Sequence, residues 1–129
     1  MIAHNERRLL QAAVAVLALV PILAGSTGVL FGTGMAGGAL DISTDSHVRY
    51  LSGLLLAIGL GFWSAIPGIE RQTARVRLLT ALVVIGGLAR LYGVAVQGLP
   101  SASMLFALGM ELVVTPLLCL WQARIAKTA

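Results

Sequence analysis

Four long apolar runs constrain this chain more than any other feature of its sequence. They lie at about residues 8–30, 47–66, 76–97 and 102–122, and few charges interrupt them. At 1.5 Å per residue, each forms a helix of roughly 30 Å, which matches the hydrocarbon core of a bilayer. Only 11% of the residues are charged, against about 25% in a soluble domain. The sequence therefore predicts an all-α polytopic membrane protein with a four-helix transmembrane bundle of two antiparallel hairpins, forming a single domain over residues 1–129.

Several local signals mark the helices and their ends. We interpret the first run as a transmembrane helix and not as a signal peptide, because it is long for a signal core. Pro21 is expected to bend that helix, since proline lacks a backbone N–H and clashes with the preceding turn. Asp45 lies in a cluster of N-cap residues and is expected to cap the second helix. Small residues recur every four positions on that helix, which predicts a packing seam: Gly53, Ala57, Gly61 and Ala65.

The distribution of charge predicts the orientation. With four helices, both termini and the loop near residue 70 lie on one side of the membrane. That side collects most of the basic residues: Arg7, Arg8, Arg71, Arg75, Arg77, Arg124 and Lys127. The loop on the other side holds Asp41 and Asp45 and has no Lys or Arg. The positive-inside rule therefore predicts that both termini are cytoplasmic.

Composition also excludes several classes of function. The net charge of +4 does not indicate nucleic-acid binding, because the basic residues follow the ends of apolar runs without an aromatic-basic face. Cys119 is the only cysteine, so an intrachain disulfide and a cysteine-cluster metal site are excluded. No His, Cys and Asp spacing predicts a metal site, and no glycine-rich phosphate loop follows a strand. We expect no cofactor.

Arg90 and Glu111 are the two charges inside the apolar runs of the second hairpin. Arg90 lies about 10 Å, and Glu111 about 13 Å, below the surface where the turn at residues 98–101 joins their helices. Because that turn is short, the two helices should be antiparallel neighbours with their charges at similar depth. Each charge alone in lipid would cost roughly 2.5 kcal/mol or more, so we expect the guanidinium and the carboxylate to pair.

Other polar residues are expected near this pair. A polar nest open to the extracytoplasmic side would gather Asp45, His47, Arg49, Tyr50, Arg90, Gln97 and Glu111. Gly86 and Gly93 would leave room for a ligand beside Arg90. The candidate ligand-binding residues are therefore Arg90, Glu111, Arg49, His47, Tyr50 and Gln97, with Glu111 as the candidate catalytic acid or base. The alternatives are a purely structural ion pair, or a proton or ion path, and for His47 an ordinary solvated position at a helix start.

Four sequence segments resemble a known family. They are Asp45-Ser46-His47-Val48-Arg49-Tyr50-Leu51-Ser52-Gly53, the end of the second helix from Trp63 to Arg71, Gly86-Gly87-Leu88-Ala89-Arg90, and Met110-Glu111-Leu112. Together they are similar to a bacterial four-helix membrane family named only as a domain of unknown function. The arrangement of four helices with a glutamate in the last is also distantly similar to the DoxX-like membrane proteins. The resemblance implies fold and topology, and it implies no activity. We expect the chain to lie in the bacterial inner membrane.

Three functions remain open at this point. The first is a non-enzymatic accessory or scaffold subunit that associates with membrane lipid, with a larger membrane complex or with copies of itself. The second is a binding protein or enzyme for a lipid-like or quinone-like molecule, with Glu111 as the acid or base and Arg49 and Arg90 holding an anionic or carbonyl group. The third is a small transporter subunit. We favour the first and do not expect an enzyme.

Overall fold

A computed structural model of the chain describes residues 2–36 and 41–129, and these contain helices and no strand. The α-helices are α1 (Ile2–Leu17), α2 (Leu19–Phe31), α3 (Ile42–Ser64), α4 (Thr73–Gln97), α5 (Ala102–Gly109) and α6 (Thr115–Thr128). A π-helical turn, Met110–Val114, joins α5 to α6, and backbone hydrogen bonds continue through Ala18 from α1 to α2. The described chain therefore forms four helices, which confirms the predicted all-α fold class.

Three of these helices are long and apolar enough to cross a membrane. They comprise Ala3–Gly34, Thr73–Gln97 and Ala102–Thr128. Helix α3 is not among them, although the sequence predicted four crossings. Its first turns hold Asp45, His47 and Arg49, so its apolar part begins at Leu51 and extends only roughly 20 Å to Ser64. A membrane protein is therefore indicated, and the crossing of α3 stays a prediction.

The long first helix is interrupted near its middle, close to the expected proline. The break between α1 and α2 falls at Ala18, whose ψ of −16° departs from regular helix. Pro21 follows within one turn, and its missing N–H leaves the carbonyl of Leu17 without the usual donor four residues on. This is the physical reason for the interruption.

The chain divides into two compact units, Met1–Gln11 with Pro67–Ala129, and Ala12–Ile66. In the Ala12–Ile66 unit, α2 packs closely on α3 through glycine. A Cβ at Gly25 would lie 2.6 Å from the backbone nitrogen of Leu56, and a Cβ at Gly59 would lie 2.6 Å from the side chain of Ile22. Trp63 adds a hydrogen bond from its Nε1 to the carbonyl of Ala15, at 3.1 Å. The single-domain organisation stays a prediction.

In the other unit, α4 packs against α6 and the π-helical turn. Its core contains Ile69, Val76, Gln122 and Ile125, which are all buried. The buried Gln122 is tied in place because its Nε2 donates to the carbonyl of Ile69 at 2.9 Å and to Oγ1 of Thr73 at 3.0 Å. This packing fixes how α4 and α6 face each other.

Helix α3 begins earlier than the sequence predicted, and its cap is a different residue. The helix starts at Ile42, and Asp41 is its N-cap, with an Oδ1 that accepts from the backbone N–H of Thr44 at 3.1 Å. The expectation that Asp45 caps the helix is therefore wrong. Asp45 lies one turn inside α3, where its backbone N–H already bonds to the carbonyl of Asp41, and its carboxylate is free for other partners.

Candidate functional site

Arg90 on α4 and Glu111 in the π-helical turn form a two-pronged ion pair. Nε of Arg90 donates to Oε2 of Glu111 at 3.1 Å, and Nη2 donates to Oε1 at 3.1 Å. This parallel arrangement satisfies both carboxylate oxygens and is the strong form of an arginine–carboxylate contact. The arginine side chain is 34% exposed and the glutamate 17%. The depth argument from the sequence thus placed the two charges correctly with respect to each other.

The local backbone at Glu111 departs from α-helix because of Pro116. Proline has no N–H for a hydrogen bond to the carbonyl four residues earlier, and its ring crowds that carbonyl. The preceding turn widens, and the N–H of Thr115 reaches back five residues to the carbonyl of Met110. The Thr115 hydroxyl donates to the same carbonyl at 2.8 Å. Single π-helical turns often occur at functional sites, and this one determines the direction of the Glu111 side chain.

Close helix packing brings Glu111 within reach of Arg90. Gly87 lies three residues before Arg90 on α4 and is buried. A Cβ at this position would lie 2.9 Å from Cβ of Glu111 and 2.8 Å from Cδ2 of Leu112, closer than real Cβ contacts come. The absence of a side chain at Gly87 therefore lets the π-helical turn approach α4 at this level.

Met104 is a third member of the site that the sequence did not reveal. Nη1 of Arg90 donates to the thioether sulfur of Met104 at 2.9 Å. A methionine in the first turn of an apolar helix has no signature that separates it from a lipid-facing residue. Pro116 and Gly87 could have been identified, the first as a proline inside an apolar run and the second as a glycine one turn from a buried charge.

The structure leaves open space beside Arg90 at two glycines of α4. Gly86 and Gly93 flank Arg90 on α4, and a Cβ at either position would have no atom within 4 Å. Gln97 lies exposed at the end of α4, and its side chain makes no hydrogen bond among the described residues. The structure does not join Gln97 to the ion pair, and its role in ligand binding stays a prediction.

In the Ala12–Ile66 unit, Arg49 and Asp45 join with Thr33 to form what we call the loop cluster. Nε of Arg49 donates to Oδ2 of Asp45 at 2.7 Å. Oδ1 of Asp45 accepts from the backbone N–H of Thr33 at 2.9 Å and from its hydroxyl at 3.1 Å. The arginine hydrogen bond, followed by the Thr33 backbone N–H, holds the pKa of Asp45 below its usual value.

Arg49 also donates hydrogen bonds to the C-terminal end of helix α2. Its Nη1 donates to the carbonyls of Val29 at 2.8 Å and Leu30 at 3.2 Å, which are among the last carbonyls of a helix and lack partners inside it. The chain then turns at Gly32, whose φ of +54° favours glycine, and a Cβ there would lie 2.1 Å from Oδ1 of Asp45. The contacts of Arg49 and Asp45 therefore fix how the chain leaves α2.

His47 and Tyr50 belong to the same unit and are exposed, and their side chains make no hydrogen bond among the described residues. The predicted nest would combine these residues and the loop cluster with the Arg90–Glu111 pair. The structure describes the two groups in separate units, so the nest stays a prediction. Within residues 2–36 and 41–129, no group of three His, Cys, Asp or Glu side chains has the arrangement of a metal site.

Comparison with known proteins shows that a family model matches most of the chain. The family model described as Domain of unknown function (DUF4345) matches residues 9–122. This region covers most of the chain, including the loop cluster, Arg90 and Glu111. No curated protein matches, and no solved structure matches.

Proposed function

This chain belongs to the DUF4345 family, whose function is unknown, and from that premise we propose that it is a non-enzymatic accessory subunit of a membrane. It contributes apolar helices that associate with lipid and with a larger membrane protein complex. We place it in the bacterial inner membrane with both termini cytoplasmic, as the distribution of its basic residues favours.

The observation that carries this proposal is the apolar surface that the chain leaves uncovered. In the most apolar stretch of each of the three membrane-spanning candidates, only 17%, 11% and 0% of the residues are buried inside the molecule. Large side chains such as Ile85, Leu117 and Leu120 are more than half exposed. Lipid covers such a surface, and so do the helices of a partner, because close van der Waals packing drives association in a bilayer.

The chemistry of the ion pair favours this function over catalysis. A general acid or base needs a proton-accepting atom that can reach substrate. In Glu111 both carboxylate oxygens already accept hydrogen bonds from Arg90. The described cavity of about 330 Å³ lies elsewhere, beside Arg7 and Glu70, and Arg90 is roughly 25 Å farther along α4 from its first residue.

Native mass spectrometry after extraction of the tagged chain from membranes in polymer-bounded lipid discs tests the proposal. We expect the wild-type chain to carry a second membrane polypeptide at a constant ratio. The variant E111Q, which is nearly isosteric and removes the charge, should show no specific loss of a bound small molecule. A lipid-like or quinone-like molecule that is stoichiometric in the wild type and absent in E111Q would contradict the proposal and support the ligand-binding alternative.

A further inference from the structure

Basic residues from several distant segments converge at one end of the unit formed by Met1–Gln11 and Pro67–Ala129. An ion pair between Glu6 and Arg124 links α1 to α6. A second pair, in which Nε of Arg7 donates to Oε2 of Glu70 at 2.7 Å, links α1 to the turn before α4. We call the group of cations around these two pairs the basic end: Arg7, Arg8, Arg71, Arg77, Arg124 and Lys127.

The basic end carries more positive charge than its carboxylates neutralise. Glu6 and Glu70 are engaged by Arg124 and Arg7. Arg71 is 83% exposed, and its Nε lies 3.8 Å from Oε1 of Glu70, which is beyond hydrogen-bond distance. The remaining three cations, Arg8, Arg77 and Lys127, are exposed and have no carboxylate within 4 Å among the described residues. Arg75 has an interaction of its own and does not belong to this group of cations.

This excess charge does not serve the stability of the fold. Arg71 and Arg77 lie around the start of α4, where the helix dipole is positive and disfavours cations. Glu70 has a lowered pKa, because of its own backbone N–H and the hydrogen bond from Arg7. It therefore stays ionised and paired with Arg7, its other oxygen lies 3.8 Å from Arg71, and it neutralises none of the remaining three cations. A bound anion would neutralise them.

The surface next to the cations indicates which anion fits. Leu9 follows Arg8 and is 61% exposed, and Leu78 follows Arg77 and is 62% exposed. Cations bordered by exposed apolar side chains match an amphiphile that has an anionic headgroup and acyl chains. A free phosphate or a nucleic acid would leave the leucines uncovered.

The open cavity at this end supplies further polar groups. Its volume is about 330 Å³, and its lining includes His4, Arg7, Glu70 and Thr128. Donors and acceptors are therefore present side by side, and they suit a headgroup that carries hydroxyls next to its phosphate. Basic pockets at helix ends are a recognised form of anionic-lipid site.

We propose that the basic end binds an anionic phospholipid, with its headgroup phosphate near Arg71 and Arg77 and its acyl chains along the exposed leucines. This inference rests on the membrane location in the proposed function and specifies the class of lipid. Attraction of roughly 1 kcal/mol per basic residue at a membrane surface corresponds to about fivefold in affinity for each cation.

The test titrates phosphatidylglycerol into the full chain in neutral micelles and measures its apparent association constant by native mass spectrometry. Phosphatidylcholine and inorganic phosphate are titrated in parallel. The variant R71Q/R77Q/K127Q removes three cations and leaves the Arg7–Glu70 and Glu6–Arg124 pairs intact, and R71K/R77K is the matched control that keeps the charge. We expect the glutamine variant to lose affinity for phosphatidylglycerol by about fivefold per cation and the lysine variant to keep most of it.

Three outcomes would overturn the inference: equal affinity of the wild type for both lipids, full retention of phosphatidylglycerol binding by the glutamine variant, or an equal effect of inorganic phosphate. The thermal unfolding midpoint of each variant in phosphatidylcholine discs shows whether it is folded. If R71Q/R77Q/K127Q does not fold, R71Q/R77Q replaces it. If a variant loses its preference for phosphatidylglycerol and still carries the second membrane polypeptide at the same ratio, the lipid site is affected and the proposed function is not contradicted.

Discussion

Arg90 and Glu111 each depend on the other to remain in an apolar helix. Removal of one partner leaves an uncompensated charge, which costs roughly 2.5–3.5 kcal/mol in a transmembrane helix. Removal of both leaves two apolar positions, and replacement of an ion pair by apolar residues of similar volume is often neutral or stabilising. We therefore expect loss of one partner to destabilise the unit and loss of both partners to have little effect.

A double-mutant cycle tests this dependence. We expect R90L and E111L to lower the free energy of unfolding by about 2–3 kcal/mol each, and R90L/E111L to be close to the wild type. Reversible unfolding in mixed micelles provides the measurement. Strictly additive effects of the two substitutions would show that the pairing has no energetic role.

Asp45 provides a second test at the residue scale, through pH. Its pKa is lowered in the folded chain, first by the hydrogen bond from Arg49. A carboxyl group with a depressed folded pKa contributes stability that is fully present above its unfolded pKa and is lost as pH falls through the folded value. We therefore expect D45N to be less stable than the wild type at neutral pH, and the difference to shrink as pH falls below the ordinary aspartate pKa towards the lowered folded value.

Asp41 offers the matched control for that experiment. Its pKa is also lowered, first by the hydrogen bond with Thr44, but its role is that of an N-cap, and asparagine caps a helix about as well as aspartate. D41N should therefore unfold like the wild type at neutral pH. Thermal unfolding followed by circular dichroism between pH 3 and pH 7 compares the three proteins, and a D45N deficit that persists unchanged at pH 3 would refute the electrostatic explanation.

At the scale of helices, two adjacent glycines on α4 allow the effect of side-chain packing to be measured separately from that of helix propensity. Gly87 faces the π-helical turn with no room for a Cβ, whereas a Cβ at Gly86 meets no atom within 4 Å. Alanine favours helix over glycine by about 1 kcal/mol. We expect G86A to be neutral or slightly stabilising and G87A to be destabilised by about 1–3 kcal/mol, as overpacked sites are. Equal unfolding midpoints for the two variants would contradict the close approach of the helices.

The sequence predicted the helices and the Arg90–Glu111 pair because both follow from distance along a helix axis. It did not predict which face of each helix packs, because that depends on rotation about the axis. The stripe of Gly53, Ala57, Gly61 and Ala65 suggested a seam, but α2 packs near Leu56 and Gly59 and leaves Ala57 exposed. The same limit hid Met104 and the hydrogen bonds between Asp45 and Thr33, because those partners come from segments that no spacing rule connects. The Asp45–Arg49 pair, in contrast, has the i,i+4 spacing of a helical ion pair.

At the scale of the whole molecule, the membrane topology depends on helix α3. Its apolar part is shorter than a full span, and its first turns are polar. The loop cluster reduces the cost of those turns, because Asp45 and Arg49 neutralise each other and Arg49 reaches the carbonyls at the end of α2. A short helix can cross by local thinning of the bilayer or by outward extension of its flanking residues. We therefore keep the prediction that α3 crosses.

Cysteine labelling decides between four crossings and three. In a C119S background, single cysteines replace Gly34 and Gln72, and intact cells are treated with a membrane-impermeant maleimide. If α3 crosses, G34C should be labelled from outside and Q72C only after the membrane is opened, as the basic residues near Gln72 favour the cytoplasm. If α3 does not cross, both cysteines lie on one side and react alike. That result would place the two termini on opposite sides and contradict the predicted topology.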